Sequence, residues 1–198
     1  MTRISLVLAA LGIFSWTGCS KQPDPAAFVQ RYVDLHRAGN VAGLLAIHTP
    51  DSEFLLPDRE EPIRGKSALR DLFEYDAVLG SELVMTGVRT HGDTIFIDSV
   101  SEQNRFFRAL GIDEVRYKPG TKFVLKNGLI AGTYPAPMDD ETRERVGERV
   151  QTLLRWIKEN RPRVLEQLQP GGMARYDAKA ARILLETVKD WKTAQSPE

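Results

Sequence analysis

Cysteine is nearly missing from this sequence, with one residue, Cys19, in 198. That excludes an intrachain disulfide and any zinc site built on thiolates. Histidine is almost as scarce, and His36, His48 and His91 have no partners at metal-ligand spacing, so no metal centre is expected. An excess of charge is lacking too: 27 Lys and Arg balance 27 Asp and Glu, which leaves no basic stripe for nucleic acid. Gly65-Lys66-Ser67 ends like a phosphate-binding loop, but Glu60 stands where the first glycine of that loop belongs. No other cofactor motif is present, and there are no repeats or low-complexity segments. The acidic and basic run 58–61 reads as a solvated loop.

What is present is organised around residues 81–135. They read as four strands in two pairs. His91-Gly92-Asp93 breaks the first pair, and Asn127-Gly128 breaks the second. Asn-Gly is a strong hairpin signal because both residues tolerate the positive φ of a tight primed turn. The flanking runs are rich in Val, Ile, Phe, Thr and Tyr, which suit a pleated, half-buried surface. Residues 105–111 (RFFRALG) interrupt the pattern as a helical turn or wide bulge.

Helices come before and after. Asp24-Pro25 can cap and open a helix carrying Phe28, Tyr32 and Leu35 on one face, and Gly39 is placed to end it. Asn40 can cap a second short helix over 41–48. A short strand over 52–56 and a third helix with Leu69, Leu72 and Phe73 follow. Helices gathered on one side of an antiparallel sheet make an α+β layer arrangement. Beyond Pro137 lie two amphipathic helices, one starting at Asp139-Asp140 with Val146, Val150, Leu153, Leu154 and Ile157 at helical spacing. The other runs over about 177–192 with Ala180, Ile183, Leu184, Val188 and Trp191. Their stripes must be covered, by the outer sheet surface or across the domain's mouth. Trp156 falls off its stripe and marks a second contact, a place where a homodimer partner would fit.

The N-terminus has Arg3, a short apolar core over 4–16, and then Thr17-Gly18-Cys19-Ser20. The run is too short to span the ~30 Å hydrocarbon layer comfortably, so it reads as a cleaved signal. Gly18-Cys19 resembles the end of a bacterial lipoprotein signal, in which the cysteine thiol is acylated and becomes the new N-terminus. The resemblance implies a signal over 1–18, lipidation of Cys19, a tether over 19–24, and membrane attachment at the cell envelope. Ser20, in place of an aspartate, leans toward the outer membrane in a Gram-negative cell.

The stretches FVQRYVDLHRAGNVAGLL, SEFLLPD, IRGKSALRDLF, SEQNRFFRALGIDEVRY and FVLKNGLIAG resemble the nuclear-transport-factor-2-like superfamily, and within it the SnoaL-like proteins. The resemblance covers a domain over 25–137, with 138–198 as a helical extension. It implies a cone-shaped, strongly curved antiparallel sheet wrapped on the N-terminal helices, with a ligand site at the mouth of the cone. The scaffold hosts isomerases, cyclases, dehydratases and binding modules, so fold does not decide function.

If the strand over 94–104 alternates regularly, Phe96, Asp98, Val100, Glu102 and Asn104 share one face. Parity alone does not decide whether that face is the pocket or the solvent side. A carboxylate held among apolar residues gains the raised pKa that suits a general base. Ketosteroid isomerase is the mechanistic template on this fold, an Asp base with Tyr and protonated Asp donors. Tyr32 falls where its helical tyrosine would, but the base position lands on or next to Pro57, with Asp58, the nearest carboxylate, one residue displaced, and the second donor lands near Thr121. That activity is not expected. His36, one turn after Tyr32, can share its face. The pocket candidates are therefore Tyr32, His36, Phe96, Asp98, Glu102 and Asn104. Three functions remain: a small-ligand binding lipoprotein, an enzyme using Glu102 or Asp98 as base with Tyr32 as donor, or a protein-docking module.

Overall fold

The computed structural model describes residues 24–57 and 59–195; Cys19 with the leader before it, and Asp58, lie outside the described residues. Helix α1 (Pro25–Arg37) opens as its sequence dictates: the Asp24 carboxylate accepts from the Ala26 N–H and Pro25 takes the first turn. Its buried face is Phe28, Val29, Tyr32, Val33 and His36. Asn40 caps α2 (Val41–Ala46) by accepting from the Gly43 N–H at 2.9 Å. This helix is shorter than expected. His48 already belongs to β1 (His48–Phe54), whose pairing is irregular between His48 and Glu53, the stretch that contains Pro50.

A two-residue strand β2 (Ile63–Arg64) leads into α3 (Gly65–Leu79). Gly80 ends α3 in the left-handed conformation, and the Ser81 N–H closes back on the Asp76 carbonyl at 3.1 Å. The long strands β3 (Glu82–His91) and β4 (Thr94–Gln103) pair antiparallel. The segment 105–111 is a helical turn, α4 (Arg105–Ala109), followed by a short strand β5 (Val115–Tyr117) that the sequence did not announce. Strands β6 (Thr121–Lys126) and β7 (Leu129–Tyr134) form the Asn-Gly hairpin, with φ +54° at Asn127 and +76° at Gly128.

The class is α+β: a curved, open sheet in the order β2-β1-β7-β6-β4-β3, with β5 beside β4. It is antiparallel throughout except for β1 against β7, which run parallel. Strand β4 changes partner along its length. Residues 94–97 pair with β6 and residues 100–102 with β5. At the changeover the inward parity slips: Ile95 and Ile97 are buried, and so are Val100 and, in part, Glu102. The neighbouring strand accommodates this with Gly87 at φ +71°, where an added Cβ would sit 2.6 Å from the Asp98 Cβ.

The extension beyond residue 137 is helical as expected, with the first of its two amphipathic stretches divided into α5 (Asp140–Asn160) and α6 (Pro162–Leu168) before α7 (Ala178–Gln195). Pro162 has no N–H to continue α5, so α6 restarts there. Helix α7 lies against α3 and α4. Two cores result. One fills the cone with Phe28, Phe73, Ile95, Ile97, Phe123 and their neighbours. The other joins Leu110, Ile112 and Val115 to Val146, Leu153, Ile157, Val188 and Trp191. Trp156 is partly buried against this second core, within its own chain.

Candidate functional site

A cavity of about 180 Å³ opens inside the cone. Phe54, Leu72, Leu83, Met85 and Phe123 form its apolar wall, and Tyr32, His36, Asp76, Glu102 and Tyr117 its polar one. The turn after α3 brings the polar groups together. While the Asp76 carbonyl closes the helix end, its carboxylate meets His36 Nε2 at 3.3 Å. The next residue past Gly80, Ser81, offers its carbonyl to His36 Nδ1 at 3.2 Å and its hydroxyl to Glu102 Oε1 at 2.8 Å. One glycine-terminated helix thus positions partners for both His36 and Glu102.

Both partners of the His36 ring, the Asp76 carboxylate and the Ser81 carbonyl, are acceptors, an arrangement that favours the doubly protonated ring. Burial is the largest single influence on its pKa and acts downward. The hydrogen bond and charge of Asp76, the charge of Glu102 and the Ser81 carbonyl together outweigh it and raise the pKa. Glu102 accepts from three donors: Ser81, the Asn104 side-chain amide at 2.8 Å, and the Tyr117 hydroxyl at 2.5 Å. The other end of Asn104 caps α4, its Oδ1 accepting from the Phe107 N–H at 2.8 Å. Burial, followed by the nearby carboxylates, pushes the Tyr32 and Tyr117 phenols well above their usual range, so both stay protonated donors.

Tyr32 differs from Tyr117 in one respect. Its ring packs against Phe123, with centroids 4.9 Å apart, yet its hydroxyl makes no hydrogen bond among the described residues. The Thr133 hydroxyl oxygen, in the same cavity wall, is also buried without a partner there. His48 lies deeper, with Nδ1 donating to the Leu44 carbonyl at 2.7 Å, and burial lowers its pKa.

The structure brings Tyr32, His36 and Glu102 to one cavity and places Asn104 just behind it. Phe96 and Asp98 are a correction. The slip in β4 parity puts both on the opposite face, where Asp98 is ion-paired with Arg89 of β3. That pairing holds the Asp98 carboxyl below its ordinary range. Pro57 and Thr121, the residues at or near which the resemblance would set the isomerase base and second donor, do line the cavity, and neither is an acid. Sequence reasoning missed Asp76, Ser81 and Tyr117. Asp76 sits one turn beyond the buried Leu72 and Phe73, which was a usable signal, as was the Val115-Arg116-Tyr117 alternation. No local pattern marks Tyr176, which comes from the loop before α7 and also lines the cavity. There it meets Tyr75 edge-on at 5.3 Å and lies under the Arg59 guanidinium.

No protein-family model matches the sequence, and no curated protein matches it significantly. Solved structures do. An epoxide hydrolase/cyclase-like enzyme, SalBIII, described for its role in pyran ring formation in the polyether salinomycin, aligns at 13% identity and a TM-score of 0.51, over 60% of this chain and 92% of its own. The fold is nuclear-transport-factor-2-like. A computationally designed 17-OHP binder (18% identity, TM-score 0.48, 60% of this chain and 92% of its own) is also similar. So is a Mycobacterium tuberculosis protein in complex with estradiol-17beta-hemisuccinate (16%, 0.45, 56% and 91%). At 13% identity the likeness to SalBIII is one of fold alone. The nuclear-transport-factor-2-like cone here is α1–α3 with the curved sheet, and the Glu102 network and Tyr32 sit inside it. Among the described residues no group of three or more His, Cys, Asp or Glu is arranged to hold a metal ion. No helix among them is long and apolar enough to cross a membrane.

Proposed function

We propose that this chain is a lipid-anchored, SnoaL-like binding protein. Its cone takes a small, mostly apolar organic molecule bearing one hydrogen-bond-accepting oxygen. The observation that carries the reading is the Tyr32 hydroxyl, a protonated donor at the cavity with no partner among the described residues. A hydrogen bond of this kind contributes about 0.5–1.5 kcal/mol net, and a ligand oxygen in the cavity supplies an acceptor that the described residues do not. Of the other polar groups of the wall, His36 is engaged on both nitrogens and Glu102 by three donors, while the Thr133 hydroxyl is a second group without a partner among the described residues. A wall so occupied orients a ligand more readily than it exchanges protons with it. The anchor rests on Cys19, the one cysteine, at the end of a signal-like segment.

Two experiments test this. Calorimetric titration with a small ketone such as cyclohexanone measures binding, and Tyr32→Phe, which removes only the donor, weakens it by about 0.5–1.5 kcal/mol. Equal affinity in the variant rejects the assignment of Tyr32. For the anchor, metabolic labelling with a palmitate analogue marks the wild type and not Cys19→Ala. Equal labelling and fractionation of the two proteins rejects the anchor.

A second reading is an isomerase- or cyclase-type enzyme with Glu102 as general base, favoured by its place in the wall and by one acceptor position left after its three donors. It predicts exchange of a bound ketone's α-protons for solvent deuterium, faster than in buffer and lost in Glu102→Gln. No acceleration over buffer removes it.

A further inference from the structure

A second cavity of about 160 Å³ lies beside the first, and the two share Tyr75 and Tyr176 as walls. Its remaining lining is mostly apolar, with Phe106 from α4, Leu153 and Ile157 from α5, Leu168 from α6 and Leu184 from α7; the polar exceptions are Gln169 and Arg175, the latter ion-paired with Asp177. The partition is the edge-to-face pair Tyr75–Tyr176, with rings at 77°. Tyr176 is carried by the segment between Leu168 and α7, which contains Gly171 and Gly172, both at positive φ. That segment is fastened at the rim, where Arg59 Nη2 donates to the Ala174 carbonyl at 2.9 Å.

Resting on the binding function proposed above, we infer that the two cavities are one site for a single-chain neutral amphiphile. Its carbonyl or hydroxyl head meets Tyr32 in the cone, and its aliphatic tail passes the Tyr75–Tyr176 partition into the chamber made by the C-terminal helices. Two features support it. Alone, each cavity is smaller than the roughly 300–1,000 Å³ usual for ligand pockets, and together they reach the lower end of that range. Polarity is also graded along the path, with the His36 and Glu102 hydrogen-bonding groups in the cone and mainly aliphatic side chains beyond the partition, where Arg175 is already paired with Asp177. The charges choose the head. Among the described residues that line the cone, Glu102 and Asp76 are offset by His36 alone, so a carboxylate is disfavoured and a neutral oxygen accepted.

Calorimetric titration of the full chain with straight-chain methyl ketones, from butanone to undecanone, tests the inference. Affinity is expected to rise by up to about fourfold per added methylene beyond the length that fills the cone alone. Leu184→Trp, which fills the second chamber, is expected to remove that gain and leave butanone affinity unchanged; its thermal midpoint checks that it folds. Undecanoate is expected to bind at least tenfold more weakly than undecanone. A length series that flattens once the cone is full overturns the inference with the function intact, whether or not the variant folds. The same gain in a folded Leu184→Trp overturns it as well. Equal affinity for undecanoate overturns the neutral head. Failure of every ketone, butanone included, rejects the binding function itself and the inference with it.

Discussion

Tyr117 of β5 gives its hydroxyl hydrogen to Glu102 of β4 across 2.5 Å, and the two strands pair antiparallel through Val100, Ser101 and Glu102. The short β5 therefore does more than extend the sheet. It delivers a protonated phenol to a half-buried carboxylate whose other oxygen is held by Ser81 and Asn104.

Removing that phenol tests the network. Hydrogen bonds to charged groups contribute about 1.5–3 kcal/mol. Tyr117→Phe is thus expected to lower the thermal midpoint by roughly 3–12 °C for a chain of this size. A midpoint equal to wild type would show that the bond is not made in solution.

The two buried histidines give opposite pH dependences on opposite sides of their unfolded pKa, about 6.5. His36 has a raised folded pKa. Its contribution is complete below about 6.5 and is lost as pH rises through the folded value. His48 has a lowered folded pKa, so its neutral form favours folding above about 6.5 and stability falls as pH drops through the folded value. Together they place a maximum near pH 6.5. Denaturant titrations across pH are expected to show the alkaline limb flattened in His36→Gln and the acidic limb flattened in His48→Gln. A limb that survives its own substitution contradicts the assignment.

Gly87 holds φ +71° opposite Asp98. Gly87→Ala combines a disfavoured backbone conformation with a close approach to the Asp98 side chain, and a loss of about 1–3 kcal/mol is expected by chemical denaturation. Wild-type stability in the variant would mean that the strand pair relaxes freely there.

Deleting everything after Pro137 uncovers Leu110, Ile112 and Val115, each at most 3% exposed in the intact chain. The shortened chain is expected to melt earlier or to aggregate, as read by thermal scan and light scattering. Unchanged melting and a monomeric state would show that the extension is independent of the cone.

Periodicity and turn chemistry made most of this architecture legible. The Asn127-Gly128 hairpin, the Asp24-Pro25 helix start and the Asn40 cap are local signals with local causes. Tyr32, His36 and Glu102 were legible as pocket candidates through the family resemblance. What failed was the assumption of unbroken alternation in β4. The strand changes partner between Ile97 and Val100, and that change depends on β5 and β6, which are distant in sequence. A one-residue slip turns Phe96 and Asp98 outward, and no feature of their own segment encodes it. Tyr176 was illegible for the same reason, since its place in the cavity depends on where α7 docks.

The bond from Arg59 to the Ala174 carbonyl joins positions 115 residues apart. Contacts of such separation form late, because the loop between them must be closed before they repay its entropy. As the chain is synthesised, the cone can collapse around Phe73 and Phe123 while this rim is still missing. For that interval the cavity is open on one side to whatever surrounds it. That side gains its wall only when the segment carrying Ala174 and Tyr176 reaches the rim, however early the sheet has closed.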